Sequence, residues 1–146
     1  MRGQRSIPRG FASTWRWLAW PGRLRQLATA LYFLALTWSM LAPASAFDEV
    51  GELFPQQDKI AHGALFMTLA ALVRWSSPPG SPARCRSGRC AALLSYAVAI
   101  EALQPLLGGA GRQYDWLDMA CNIAGSGLGW LLYGMAARYH AGRDAL

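Results

Sequence analysis

The chain has 146 residues, of which 53% are hydrophobic and only 15% charged, well under the roughly 25% charged residues of soluble domains. Its formal net charge is +6, from 13 Arg and one Lys. Nearly all the Arg lie between apolar segments, which argues against a basic face for nucleic acid. Cys85, Cys90 and Cys121 form no CxxC pair and no Cys/His ligand set with zinc spacing, and their odd, sparse count argues against a disulfide scaffold.

Residues 1–26 are rich in Arg and Trp, with Arg2, Arg5, Arg9, Arg16, Arg23 and Arg25 interleaved with Phe11, Trp15, Trp17 and Trp20. This flank reads either as an interfacial segment on anionic lipid or as a solvated basic leader. Segment one, Leu27 to Ala46, carries no charge and has about the length that spans a bilayer core. Its Arg-rich approach and "ASA" ending also match a signal peptide. The long run favours a retained helix. Segment two spans about Ile60 to Trp75, with Arg74 placed to snorkel to a lipid surface. "SSPPGSPARCRSGRC" reads as a loop, segment three as about Ala91 to Leu107, and "GGAGRQY" as a turn. Segment four is expected from about Trp116 to Ala137, before a polar tail at 138–146. The expected fold is therefore all-α: an integral membrane bundle of about four transmembrane helices over 27–137.

Six Arg lie in the N-terminal flank, four in the 74–89 loop and two in the tail, whereas the two other connections carry only Lys59 and Arg112. The positive-inside rule then puts both termini in the cytoplasm and turns 47–59 and 108–115 outward. This orientation brings the polar residues of three segments to one depth. Asp58, Lys59 and His62 stand at the mouth of segment two. Glu101 and Gln104 lie in the outer half of segment three, and Asp115, Asp118 and Asn122 begin segment four, just after Arg112.

Glu101 is expected ~9 Å inside the outer end of its helix. An ionised carboxylate at bilayer centre costs about 2.5–3.5 kcal/mol on insertion scales, so it needs a partner; Arg112, Lys59 and His62 are the candidates. Pro105 lacks the N–H that would bond the Glu101 carbonyl. Alternatively, it only ends the helix. Asp118, Asn122, Gly125 and Gly129 fall within roughly 60° of one helical stripe, and Gly125-x-x-x-Gly129 allows another helix to approach closely. Taken singly, Asn122 and Gln104 read equally as interhelical glue, and Asp115 and Lys59 as interfacial charges.

"DKIAH", then "EALQ", then "RQYDWLDMACNIAGSGLG" resemble the VanZ-like membrane protein family, over about Leu31 to Leu132. "SMLAP" is similar to the end of that family's first helix. The 1–26 flank and the 76–90 loop have no counterpart. The family takes its name from a bacterial glycopeptide-resistance protein, so the resemblance implies a bacterial envelope role, inner-membrane location and a link to antibiotic resistance. It supplies no reaction. A binding or modulating protein is the leading expectation, with Arg112 and Lys59 meeting an anionic group and Glu101 and Asp118 an amine or hydroxyl. The alternatives are an intramembrane enzyme on a lipid-linked substrate, with Glu101 or Asp118 as base and His62 as acid, and a small proton-coupled transport module. An Asp/His/Glu set of this kind could also hold a divalent metal, but no cofactor is expected. Expected partners are membrane lipids, a lipid-linked or anionic envelope ligand, or a second copy of the chain, and no nucleic acid.

Overall fold

The computed structural model describes residues 21–43, 45–46, 55–78, 80–108 and 113–143. Among them the fold is all-helical: α1 (Gly22–Leu41), α2 (Gln57–Trp75), α3 (Ala83–Leu107) and α4 (Trp116–Arg143), with no strand. Most of the basic flank, the acidic part of the 47–59 loop and Arg112 lie outside the described residues.

The boundaries differ from the expected ones for local reasons. Helix α1 begins at Gly22 behind Pro21, so the last residues of the 1–26 flank are helical. It stops at Leu41 rather than Ala46, because Pro43 forces Ala42 out of helical geometry (ψ 148°). Helix α3 starts directly after Pro82, so the second half of the expected 76–90 loop is helix. The Arg and Cys residues there have no helix-breaking chemistry, and Pro suits the position before a first turn. Similarly, Ala137–Arg143 contains no Pro, and α4 runs through most of the expected tail. Helix α3 continues through Pro105 for two residues, closed by Gly108 N–H donating to the Gln104 carbonyl at 2.8 Å. Pro105 thus sits inside the last turn, and the Glu101 carbonyl loses its ordinary donor.

Contacts fix the topology. Lys59 meets Asp118 near the starts of α2 and α4, and Arg74 meets Trp130 towards their ends, so these helices run parallel. Arg25 donates to the Trp75 carbonyl (3.1 Å), Thr29 to Leu72 (3.2 Å) and Tyr32 to Leu65 (3.0 Å), so α1 runs antiparallel to α2. Thr37 and Tyr96 share a hydroxyl hydrogen bond of 2.8 Å, which ties α1 to α3. Leu36, Met40, Phe66, Leu69, Ala70, Leu93, Ala97 and Ile100 form the apolar core of α1, α2 and α3. Helix α2 packs on α4 differently, backbone against backbone. A Cβ on Gly125 would fall within the Gly63 carbonyl, and one on Gly129 within the Met67 carbonyl. That contact is the close approach small residues permit.

By length and composition, α3 is the one described helix apolar enough to cross a membrane; the sequence led us to expect four. Asp58, Lys59 and Arg74 load α2, Arg25 and Gln26 dilute the start of α1, and Asn122, Ser126 and the glycines dilute α4. Beside this apolar core, the bundle buries polar side chains and exposes large apolar ones. His62, Glu101, Gln104, Asn122 and Ser126 are buried, while Leu31, Leu34, Trp38, Leu131 and Met135 are exposed.

Candidate functional site

The polar residues meet where the starts of α2 and α4 face the last turns of α3. They form two tiers. The outer tier is ionic and centres on Lys59, whose Nζ donates to Asp115 Oδ2 (2.9 Å), Asp118 Oδ1 (3.0 Å) and Asp58 Oδ2 (3.2 Å). These three bonds use every donor of the ammonium. Asp58 stays at the exposed rim, whereas Asp118 is 9% exposed.

Asp115 joins the tiers. It stands just before α4 as its N-cap: its Oδ1 accepts from the Leu117 N–H at 2.8 Å, as a capping carboxylate does. Its own N–H donates to Glu101 Oε1 at 3.2 Å. The Lys59 ammonium beside it, and then the Leu117 N–H, hold its carboxyl below the usual range. The Lys59 ammonium in turn bridges Asp115 and Asp118. An acidic residue directly before an apolar helix is a readable N-cap signal; the double role of Asp115 is not.

The inner tier is a buried row of hydrogen bonds. Glu101 and Asn122 are both 0% exposed. His62 Nδ1 lies 3.1 Å from Asn122 Oδ1, and Asn122 Nδ2 donates to Glu101 Oε2 at 3.5 Å. Because the amide nitrogen faces the carboxylate, Oδ1 faces the imidazole, and His62 Nδ1 must carry the proton between them. His62 Nδ1 is itself 4.0 Å from Glu101 Oε2.

The structure therefore brings Asp58, Lys59, His62, Glu101, Asp115, Asp118 and Asn122 together. Lys59, one expected partner of Glu101, bonds the aspartates instead, and Arg112 lies outside the described residues. Gln104 is buried but turns to α1, with Nε2 4.0 Å from Met40 Sδ. Gly125 and Gly129 continue the Asp118–Asn122 stripe against α2. Arg74 does not extend outward. Its guanidinium crosses to α4, donates to the Trp130 carbonyl and lies 5.2 Å over the Trp130 ring. Ser126 completes the inner face: its hydroxyl is enclosed without a hydrogen-bond partner among the described residues. Its position four residues beyond Asn122 was the available sequence signal.

Among the described residues, no three His, Cys, Asp or Glu side chains group as metal ligands. Lys59 fills the space between Asp115 and Asp118. No protein-family profile, curated protein or solved structure matches the chain.

Proposed function

We propose that the chain is a multi-pass, VanZ-like protein of the bacterial inner membrane, and that its outward-facing polar pocket binds part of an envelope molecule. The observation that carries this reading is the enclosed Glu101 row inside helices whose exposed faces are apolar. In water such a distribution is unfavourable; in lipid the apolar faces meet hydrocarbon and the polar groups pair with one another. All four helices span in this reading, with the charges of α1, α2 and α4 at their ends or turned inward. The Arg distribution supports cytoplasmic termini. The link to glycopeptide-type resistance rests on the sequence resemblance alone.

The charge count of the rim narrows the ligand. Among the described residues, Asp58, Asp115 and Asp118 surround a single ammonium. This favours an amine or a hydroxyl over an anionic group. The Lys59 Nζ already sits between Asp115 and Asp118 as an ammonium would, so an incoming amine takes that position as Lys59 swings to the exposed rim. Beneath it, Glu101 is the next acceptor.

Complementation of a knockout strain tests this reading. Glu101→Gln, Asp118→Asn and His62→Ala are compared for envelope-antibiotic susceptibility at matched membrane levels. Loss of protection in Glu101→Gln and Asp118→Asn is expected. Wild-type behaviour of all three would end the binding reading and leave the row as helix packing. In binding assays, Asp118→Asn should lose the ligand itself, whereas an enzyme would keep binding and lose turnover in Glu101→Gln.

A further inference from the structure

The opposite end of the bundle carries a second polar site, unrelated to the Glu101 row. A cavity of about 260 Å³ opens there between the end of α2, the start of α3, α1 and α4. Arg25, Arg74 and Arg86 all line it, and among the described residues no Asp or Glu does. The described carboxylates, Asp58, Glu101, Asp115 and Asp118, gather at the other end of the molecule.

Each guanidinium is held in place by a backbone carbonyl. Arg25 Nη1 donates to Trp75 (3.1 Å), Arg86 Nη1 to Ser81 (2.6 Å) and Arg74 Nη1 to Trp130. Arg74 reaches that carbonyl because residue 134 is glycine: a Cβ there would collide with its guanidinium. One carbonyl satisfies one of five donors on each Arg. Arg25 Nε is enclosed and has no partner among the described residues. Arg86 and Arg138 also repel Arg74 electrostatically. Three guanidinium groups fixed around one small cavity have no carboxylate beside them among the described residues. Guanidinium forks match phosphate oxygens best of all the basic side chains, and the volume suits a headgroup rather than a drug-sized ligand.

We propose that the Arg25–Arg74–Arg86 cavity binds a phosphate group, carried either by an anionic lipid headgroup or by a free phosphate compound. Basic pockets between helices at the Arg-rich side of a membrane protein have this chemistry. The proposal stands apart from the reading of the outer pocket, since it uses none of the same residues.

The full chain in neutral detergent is titrated with phosphatidic acid, phosphatidylcholine and inorganic phosphate, and binding is read by native mass spectrometry. Phosphatidic acid should bind about tenfold or more tightly than phosphatidylcholine, equivalent to at least about 1.4 kcal/mol. Displacement by inorganic phosphate alone, with no lipid preference, would identify a free phosphate compound as the source. Arg25→Gln/Arg86→Gln should weaken binding about tenfold, whereas Arg84→Gln, outside the cavity, should leave it unchanged. Gly134→Ala keeps every charge but pushes Arg74 aside, so it should weaken binding severalfold with helicity intact by circular dichroism. It also carries the test if the double variant does not fold. Equal losses in Arg84→Gln and Arg25→Gln/Arg86→Gln would overturn the proposal in favour of diffuse surface charge. So would unchanged binding in Gly134→Ala, or no preference for either phosphate probe.

Discussion

Lys59 is the residue on which the outer tier turns, and its removal has a signed consequence. The Asp115 carboxyl titrates below its usual range because of Lys59. Its stabilising contribution is therefore complete above the unfolded carboxylate value of about 3.9 and is lost as pH falls through the lower folded value. Above about pH 4 the Asp115 contribution should therefore be constant in the wild type. In Lys59→Gln, carbon-detected NMR titration should find the Asp115 midpoint shifted upward; an unmoved midpoint would mean that the contact does not persist in solution. At Glu101 the acceptor matters more than the charge for folding. Glu101→Gln retains an oxygen for the Asp115 N–H. Glu101→Leu strands that N–H and the Asn122 amide, at a cost of about 1–3 kcal/mol, measured as unfolding free energy in detergent. Ser126→Ala removes a buried hydroxyl with no partner among the described residues and should be neutral or stabilising by up to about 1 kcal/mol.

At the scale of elements, the α2–α4 contact is a seam of backbone rather than side chains. Gly129→Ala and Gly125→Ala place a methyl group against the Met67 and Gly63 carbonyls, which no rotamer change relieves. Each should destabilise by about 1–3 kcal/mol and pull His62 from Asn122. Gly127 meets nothing within 4 Å, so Gly127→Ala should instead stabilise by about 0.5–1 kcal/mol through helix propensity. Thermal unfolding of the three variants checks the order; equal effects would deny the seam. Much of the site was legible at this scale: the 118–122–125–129 stripe and the Asp-Lys-x-x-His spacing each lie on one helical face. The helix ends were less so, because a charged or polar run such as "ARCRSGRC" has the composition of a loop and the propensity of a helix.

For the whole molecule, the proposed membrane reading puts the acidic tier at one end of the bundle and the Arg cavity at the other. The orientation has a direct test. Cys85 is exposed near the start of α3, and Pro55 is exposed before α2. With the other cysteines changed to Ser, Cys85 should react with an impermeant maleimide only after the inner membrane is permeabilised. Pro55→Cys, in a cysteine-free chain, should react without that step. The reverse pattern would invert the outer pocket and the Arg cavity together.

The sequence by itself determined the all-helical class and the four segments, and it put the ionisable residues on shared helical faces, because helical periodicity is a local property of the chain. Only the tertiary structure decided the pairings. Lys59 bonds the aspartates rather than Glu101, since Asp115 and Asp118 at the start of α4 lie nearer its ammonium. Arg74 folds across α4 instead of reaching outward, since Gly134 leaves room for it. Both outcomes depend on which backbones approach, and helix spacing along one chain does not contain that distance.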